Sequence, residues 1–247
     1  PWPGEAYRGR EYRAAVLAPT PGEPRLHLDP WRPPRLYRAC VALLRRLLPL
    51  LFRLRVTGLE NLPRPPYIVA SNHLAWYDAV FLLAALPPVP MMHSMARRQT
   101  VFDRRWKRLL LPRLGVFPIS PDQGELDPEG VRAVYRVLSA GGVVMMFPEG
   151  GYERGRDHSR GRDLLPLKKG IGHFALEAGV PVVPVALAGV DRLKFRSLVE
   201  VAVGPPVRAR PPLWWSTQRR VVGTVAAVRQ AILDAFGRHG TPPPPGG

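Results

Sequence analysis

Residues 67–86, YIVASNHLAWYDAVFLLAAL, contain an apolar run, a polar break and a second apolar run. Tyr67 to Ser71 predicts a buried strand, and Tyr77 to Leu86 predicts a helix. His73 and Asp78 lie five positions apart between the two apolar runs. A neutral imidazole can take a proton from a hydroxyl group, and a carboxylate about one helical turn away can orient the ring and stabilise the imidazolium that forms. The stretch therefore predicts a strand–helix unit that carries a base and its orienting carboxylate.

The same alternation of apolar runs and helical patterns continues along the chain. Strands are predicted at residues 67–71, 91–96, 116–119, 143–147, 182–187 and 199–203, and helices at residues 77–86, 104–111, 128–140, 168–178 and 216–236. Strands that alternate with helices indicate an α/β fold with a largely parallel mixed sheet flanked by helices. Such sheets bind their ligands at the carboxyl ends of the strands, which is where His73 and Asp78 would face.

Composition divides the chain into four parts. Residues 1–35 carry repeated Pro and Arg and predict a poorly ordered arm, and residues 239–247 predict a disordered tail. Residues 36–55 combine leucines at helical spacing with arginines, which predicts a basic amphipathic helix at a membrane interface, kinked or interrupted near Pro49. The α/β domain is predicted at residues 56–238. The helix would either lie on anionic lipid or pack on the domain, and the sequence leaves both open.

The net charge of +17, from 36 Lys and Arg against 19 Asp and Glu, predicts an anionic partner. A membrane surface, a nucleic acid and a phosphorylated substrate all fit this charge. No recognisable DNA- or RNA-binding module accompanies it, so we do not expect a nucleic-acid partner. The single Cys40 excludes an intramolecular disulfide framework and a zinc site built from cysteines.

The sequence predicts a peripheral relationship with the membrane. Residues 1–5 lack the basic and apolar segments of a signal peptide, so we expect a location at the cytoplasmic face. Residues 79–96 run for 18 positions without Asp, Glu, Lys or Arg, which approaches the length of a membrane span. Because prolines at residues 87–90 interrupt the stretch, it is predicted to form a buried helix, a turn and a strand.

Four blocks of sequence occur in order within residues 55–205. They are Asn72-His73 with Asp78, Phe147-Pro148-Glu149-Gly150, Leu165-Pro166-Leu167-Lys168-Lys169-Gly170 and Ala178-Gly179-Val180-Pro181-Val182-Val183-Pro184-Val185. Together they resemble the ordered motifs of the glycerolipid acyltransferase family, the 1-acylglycerol-3-phosphate and lysophospholipid acyltransferases of the H-x4-D type. The resemblance implies transfer of a fatty acyl group from acyl-CoA or acyl carrier protein to a hydroxyl of a lysophospholipid-type acceptor.

The resemblance also implies roles for individual residues. His73 would be the general base, and Asp78 would orient and support it. The residues that would help to form the acceptor site are Phe147, Pro148, Glu149 and Gly150. Direct attack of the acceptor hydroxyl on the thioester needs no covalent enzyme intermediate, and no serine or cysteine stands beside a base as a persuasive nucleophile.

The histidines outside the motif do not predict a metal site. His93, His158 and His173 lack metal-ligand spacing with an acidic partner, so each is interpreted as a packed or surface residue. We therefore expect no metal, and no cofactor other than the acyl thioester that serves as co-substrate.

The chain departs from the family pattern at two positions where an arginine is usual. Gly151-Tyr152-Glu153 follows the Phe-Pro-Glu-Gly block in place of Thr-Arg-Ser, and Pro121 stands where the second family block commonly ends in arginine. Arginine binds phosphate bidentately, and neither replacement reproduces that geometry. Arg154 is the candidate to supply the lost charge, and Arg98 is a further candidate contact for the substrate. A non-phosphatidate lipid acceptor and a noncatalytic basic lipid-binding protein therefore stay open as alternatives.

Overall fold

The computed structural model describes residues 26–120, 128–151, 164–191, 193–209 and 214–237. The predicted arm up to residue 25, the predicted tail and Arg154 lie outside these ranges. The described helices are α1 (Arg35–Leu51), α2 (Asp78–Ala85), α3 (Arg98–Val101), α4 (Arg105–Leu110), α5 (Pro128–Ser139), α6 (Gly170–Ala178) and α7 (Thr217–Phe236), with short 3-10 helices at Leu59–Asn61 and Leu111–Leu114. The described strands are β1 (Arg53–Thr57), β2 (Tyr67–Ser71), β3 (Met92–Arg97), β4 (Val116–Ile119), β5 (Val143–Met146), β6 (Val182–Ala188) and β7 (Leu198–Val203).

These strands form one sheet in the order β1-β7-β6-β2-β5-β3-β4. Neighbouring strands are parallel except for β6 and β7, which are antiparallel. The predicted α/β fold with a largely parallel mixed sheet flanked by helices is confirmed. β2 lies between β6 and β5, and every residue from Tyr67 to Ser71 is buried, as expected for an apolar run covered on both faces. The residues after β2 therefore emerge in the middle of the sheet at its carboxyl edge.

Helices cover both faces of the sheet. On one face, α5, α6 and α7 share a core with β2 and β6, to which Phe174 and Ile232 belong. On the other face, Leu48 of α1 and Phe81 of α2 pack into a second core. Burial of an apolar side chain of this size contributes roughly 1.5–3 kcal/mol relative to exposure. The sheet is thus fixed from both sides and provides a firm platform for the residues at its edge.

The first helix ends earlier than the sequence predicted. It passes through Pro49 and ends two residues later, at Leu51. The prediction that the helix extends to residue 55 is wrong, because Arg53–Thr57 form β1 and pair in parallel with β7. Exposed residues alternate in this strand with the half-buried Leu54 and Val56, which is the period of two that a strand requires. The sheet therefore begins at Arg53, before the predicted start of the α/β domain at residue 56, and β1 is a strand that the sequence did not predict.

The uncharged stretch at residues 79–96 has the predicted structure. It contains most of α2, a proline-containing turn and most of β3. In the part of the chain that the structure describes, no helix is long and apolar enough to span a membrane.

Candidate active site

Asn72 fixes the point at which the chain leaves β2. Its side-chain Nδ2 donates to the carbonyl oxygen of Leu187 at 2.9 Å, and the Leu187 N–H donates to Asn72 Oδ1 at 2.8 Å. The amide thus continues the pairing of β2 with β6 by one position beyond Ser71, through a side chain instead of the backbone. Asn72 is buried, so both bonds are shielded from water. The motif Asn72-His73 does not by itself indicate a role for Asn72, and the structure makes it an anchor for the next residue.

His73 and Asp78 form the predicted pair. His73 Nδ1 lies 2.8 Å from Asp78 Oδ2, and the Asp78 side chain is fully buried whereas that of His73 is 17% exposed. The same carboxylate oxygen accepts the backbone N–H groups of Leu74 and Ala75. Because a carboxylate only accepts, Nδ1 carries the ring hydrogen in this bond and the lone pair is on Nε2. This is the tautomer that a general base needs.

The Phe-Pro-Glu-Gly block holds His73 from the other side. The ring of Phe147 stacks on the imidazole, with centroids 4.3 Å apart and planes 15° apart. The buried Glu149 accepts the His73 backbone N–H at Oε1, 2.7 Å, and the Leu165 N–H at Oε2, 2.9 Å. The structure therefore brings Phe147 and Glu149 together with His73 and Asp78. Their predicted contact with the acceptor stays a prediction, and the contacts described here fix the base itself.

The turn at residues 147–150 also contacts the block that begins at Leu165. The Lys168 N–H donates to the carbonyl oxygen of Pro148 at 2.7 Å. Gly150 has a φ of 79°, and a Cβ at this position would lie 3.1 Å from Lys168 Cε. The left-handed backbone therefore favours glycine, and a larger residue would also push the lysine side chain aside. Predicted acceptor residues Pro148 and Gly150 thus form the turn against which Lys168 packs.

Arg97, rather than its neighbour Arg98, lies at this turn. Arg97 ends β3, and its Nη2 donates to the carbonyl oxygen of Gly150 at 3.0 Å. Arg98 Nη2 lies 2.5 Å from Glu129 Oε2, at the beginning of α5. The substrate contact predicted for Arg98 therefore has no support in the geometry, whereas Arg97, the adjacent basic residue, contacts the turn that holds Glu149 and Gly150. The two adjacent arginines diverge where the strand gives way to a helix, which a sequence does not indicate.

The other described histidines have partners of their own. His93 is buried within β3 and bonds through Nε2 to the carbonyl oxygen of His27 at 2.8 Å. Burial lowers the pKa of His93 to about 4, which keeps it neutral. His173 pairs with Glu177 on α6. Within the described ranges, no group of three or more His, Cys, Asp or Glu side chains is arranged to hold a metal ion.

Comparison with known proteins gives concordant matches. The model of the family named Acyltransferase matches residues 53–188. The 1-acyl-sn-glycerol-3-phosphate acyltransferase of Bacillus subtilis is 25% identical over 203 residues, a match that covers 81% of this chain and 96% of that protein. The human 1-acyl-sn-glycerol-3-phosphate acyltransferase alpha is 28% identical over 195 residues, which cover 74% of this chain and 64% of the human one.

A solved structure has a similar fold. The crystal structure of PlsC, the 1-acyl-sn-glycerophosphate (LPA) acyltransferase of Thermotoga maritima, matches with a TM-score of 0.56 and 19% identity, covering 93% of this chain and 85% of that one. At this identity the likeness concerns the fold alone. The region matched by the family model runs from β1 to the end of β6. It therefore contains His73 together with Asp78, Phe147 and Glu149.

Proposed function

We propose that this chain, which belongs to the acyltransferase family, transfers a fatty acyl group from an acyl thioester to a hydroxyl of a lysophospholipid-type acceptor. The chain is an acyltransferase of lipid metabolism, in phospholipid biosynthesis. The names of the Bacillus subtilis and human relatives make 1-acylglycerol 3-phosphate the acceptor to test first. The observation that carries the proposal is the geometry of His73, whose ring is bonded to Asp78, stacked on Phe147 and anchored through its backbone to Glu149.

The proposed reaction uses His73 as the general base. Nε2 takes the proton of the acceptor hydroxyl while the hydroxyl oxygen attacks the carbonyl carbon of the thioester. A C–O bond forms, the tetrahedral intermediate collapses with cleavage of the C–S bond, and the departing thiolate takes the proton from the imidazolium. Asp78 stabilises the imidazolium while it exists. The buried carboxylate at 2.8 Å from Nδ1 supports this role.

For the donor, we propose that Lys168 and Lys169 contact a phosphate. Coenzyme A and acyl carrier protein both present the acyl chain on a phosphopantetheine arm, so a phosphate accompanies either thioester. Both lysines are exposed, and Lys168 packs over Gly150 in the turn that contacts His73. A cation at this place suits either donor, and the choice between them is an outcome of the experiment below.

For the acceptor, we propose that Arg97 supplies the charge expected of the two arginines that the family pattern has and this chain lacks. Its bond to the Gly150 carbonyl oxygen engages one of the five N–H donors of the guanidinium. The remaining donors suit a phosphate headgroup. A second candidate function is the same acyl transfer to a lipid acceptor without phosphate. It is favoured because positions 152 and 121 hold tyrosine and proline where the family pattern has arginine.

We further propose that the protein acts as a peripheral protein at the cytoplasmic face of the membrane, without a nucleic-acid partner. Residues 35–57 contain six arginines and no Asp or Glu. Several leucines of α1 are exposed instead of packing into the core. A basic helix with an exposed apolar face suits anionic lipid.

Thiol release tests the proposed reaction. Purified protein is given acyl-CoA or acyl carrier protein as donor, with 1-acylglycerol 3-phosphate or monoacylglycerol as acceptor. We expect release that depends on the acceptor, and a fall of about 10²–10⁴-fold in His73→Ala, the range of general-base contributions. His173→Ala is the matched control, because it also removes a histidine bonded to a carboxylate. It is expected to retain activity within about threefold.

Each outcome has a defined reading. Release with 1-acylglycerol 3-phosphate that falls selectively in Arg97→Gln, through a raised KM, supports the phosphate-bearing acceptor. Release with monoacylglycerol alone supports the second candidate function. Acyl transfer that is undiminished in His73→Ala contradicts the mechanism, and a folded protein that is inactive with every pair contradicts the proposed function in favour of noncatalytic lipid binding.

A further inference from the structure

The turn that leads into β7 presents an aromatic side chain to solvent. The Ser197 N–H donates to the carbonyl oxygen of Lys194 at 3.0 Å, which closes a four-residue turn with Phe195 and Arg196 at its centre. Phe195 is 76% exposed. Arg196 has a φ of 64°, in the left-handed region that turns usually give to Gly or Asn at this position. The chain therefore holds an arginine in a costly conformation at the tip of a turn, beside an uncovered phenylalanine.

Two hydrogen bonds join this turn to the carboxyl end of α1. The Arg196 N–H donates to the carbonyl oxygen of Leu51 at 2.7 Å, and the Arg53 N–H donates to that of Ser197 at 2.9 Å. Leu51 is the last residue of α1. Phe195 therefore lies next to the helix end, although the two are far apart in sequence.

The adjoining helix has an apolar face that the core does not cover. Its buried residues include Val41 and Leu48. Exposed leucines follow one another at intervals of seven, four and three residues, which places them on one side of a helix. They are Leu36, Leu43, Leu47 and Leu50. Leu50 is 65% exposed and Leu51, beside the turn, is also exposed.

The surroundings of this apolar surface are basic. Residues 35–57 hold six arginines, of which Arg55 is paired with Glu200, and residues 193–199 hold Lys194 and Arg196. Exposed leucine and phenylalanine within a basic rim complement a bilayer that contains anionic phospholipid. A second copy of this chain would bring the same arginines against each other, which opposes a symmetric contact.

Topology places the turn at the same edge of the sheet as His73. β6 is parallel to β2, so both end at the carboxyl edge. β7 is antiparallel to β6 and therefore begins there, directly after the turn. β1 is parallel to β7, so it also begins at this edge, where α1 ends. A hydrogen bond from the Tyr77 hydroxyl to the Val190 carbonyl oxygen, at 3.1 Å, links the segment after β6 to the segment that carries His73.

We propose that Phe195 and the exposed carboxyl end of α1 form one docking surface that inserts into the interface of an anionic bilayer. This extends the peripheral attachment in the proposed function, on which it rests. A bilayer bound at this edge of the sheet brings its lipid molecules to the side of the domain where His73 lies. The turn is thus a membrane anchor separate from the helix in sequence and continuous with it in space.

Vesicle sedimentation tests the docking surface. The full chain is pelleted with vesicles of phosphatidylcholine alone and of phosphatidylcholine mixed with phosphatidylglycerol. We expect binding to the mixed vesicles only. The partition constant of Phe195→Ser should fall by about tenfold, because the variant loses an aromatic side chain that the bilayer would bury. Phe195→Trp is expected to keep the binding. Trp214→Ser is the matched control, because Trp214 is 85% exposed and precedes α7, on the opposite face of the sheet from α1.

Three results would overturn the docking surface. They are unchanged binding of Phe195→Ser, an equal loss in Trp214→Ser, and equal binding of the wild type to neutral vesicles. Each variant is checked for its melting temperature, which substitution of an exposed side chain leaves unchanged within a few degrees. Because no acyl donor is present, failure of this proposal and failure of acyl transfer are separate results.

Discussion

Two histidine–carboxylate pairs occur in this molecule, and only one of them has the surroundings of a catalytic base. His73 lies 2.8 Å from Asp78, whose carboxylate is fully buried and also holds two backbone N–H groups. His173 lies 3.3 Å from Glu177 one turn away on the same helix, and Glu177 also accepts the hydroxyl of Tyr135. The first pair spans the connection that leaves the central strand, whereas the second lies within α6, which the Tyr135 hydroxyl links to α5.

The difference shows that a carboxylate beside a histidine does not by itself indicate a general base, and that the position and surroundings of His73 distinguish it as the proposed one. His73 stands at the carboxyl edge of the sheet, where Asp78 from α2 and the turn that holds Phe147 and Glu149 fix its ring and its backbone. The Glu177 carboxylate ties α6 to α5 through Tyr135, which is a packing role. Catalysis requires a base held in one orientation and one tautomer, and the contacts of His73 meet both requirements.

The strongest way to break the comparison is to neutralise each carboxylate in turn. Asp78→Asn keeps an oxygen that can accept from Nδ1 and removes the charge that stabilises the imidazolium. We expect kcat to fall by about 10²–10⁴-fold, measured as thiol release at saturating donor and acceptor. Glu177→Gln makes the same chemical change in the second pair, and we expect its kcat to stay within about threefold of the wild type. Equal losses in both variants would mean that the two pairs act alike, through folding.

His93, a third histidine, adds a prediction about how the stability of the protein depends on pH. The pKa of His93 is about 4 because burial opposes its charge, against an ordinary value of 6.5. Below pH 6.5 the unfolded chain takes up a proton at this residue that the folded chain does not. Proton uptake by the unfolded chain therefore lowers the free energy of unfolding as pH falls from 6.5 towards 4. The expected decrease is about 2 kcal/mol between about pH 7 and pH 5.

Urea unfolding of the wild type and of His93→Gln measures this contribution. The free energy of unfolding is measured for both proteins between about pH 7 and pH 5. Because the glutamine does not titrate, we expect this free energy to fall less with decreasing pH in the variant, and the difference between the two slopes against pH gives the effect of His93. Comparison of slopes removes the constant cost of altering a buried residue. Parallel slopes would show that His93 does not titrate differently in the folded and unfolded chains.

The smallest expected effect concerns the anchor of the His73 backbone. Glu149→Gln replaces one acceptor oxygen by an amide NH2, which cannot accept the N–H of His73 or of Leu165. We expect kcat to fall by about tenfold, with the pH profile of kcat/KM unchanged because the pairing of His73 with Asp78 persists. A raised acceptor KM at unchanged kcat would instead give Glu149 the acceptor-binding role that the sequence predicted.

The local part of this site was predictable from the sequence, and the long-range part was not. His73 and Asp78 belong to one connection between a strand and a helix, so their spacing indicated their contact. The bond from His73 to Glu149 crosses 76 residues and exists because β2 pairs with β5. The two bonds between Asn72 and Leu187 cross 115 residues and depend on β6. No spacing in the sequence reports such contacts.

The fold shows the same division. Central strands such as β2 and β5 are covered on both faces and therefore read as continuous apolar runs, which locates them closely. β1 lies at an edge of the sheet and is half exposed, so its alternation of arginine with Leu54 and Val56 looked like a continuation of the leucines and arginines of α1. Its identity as a strand depends on β7, which the sequence of Arg53–Thr57 does not indicate.

Because β1 pairs with β7, it cannot join the sheet in the order in which the strands are synthesised. Arg53 pairs with Leu198, so β1, the first of the described strands to be synthesised, has no neighbour in the described sheet until β7, the last of them, has been made. Contacts of such large sequence separation form late, because a long loop must close first. The carboxyl end of α1, whose Leu51 carbonyl oxygen accepts the Arg196 N–H, is therefore synthesised well before the segment that fixes it.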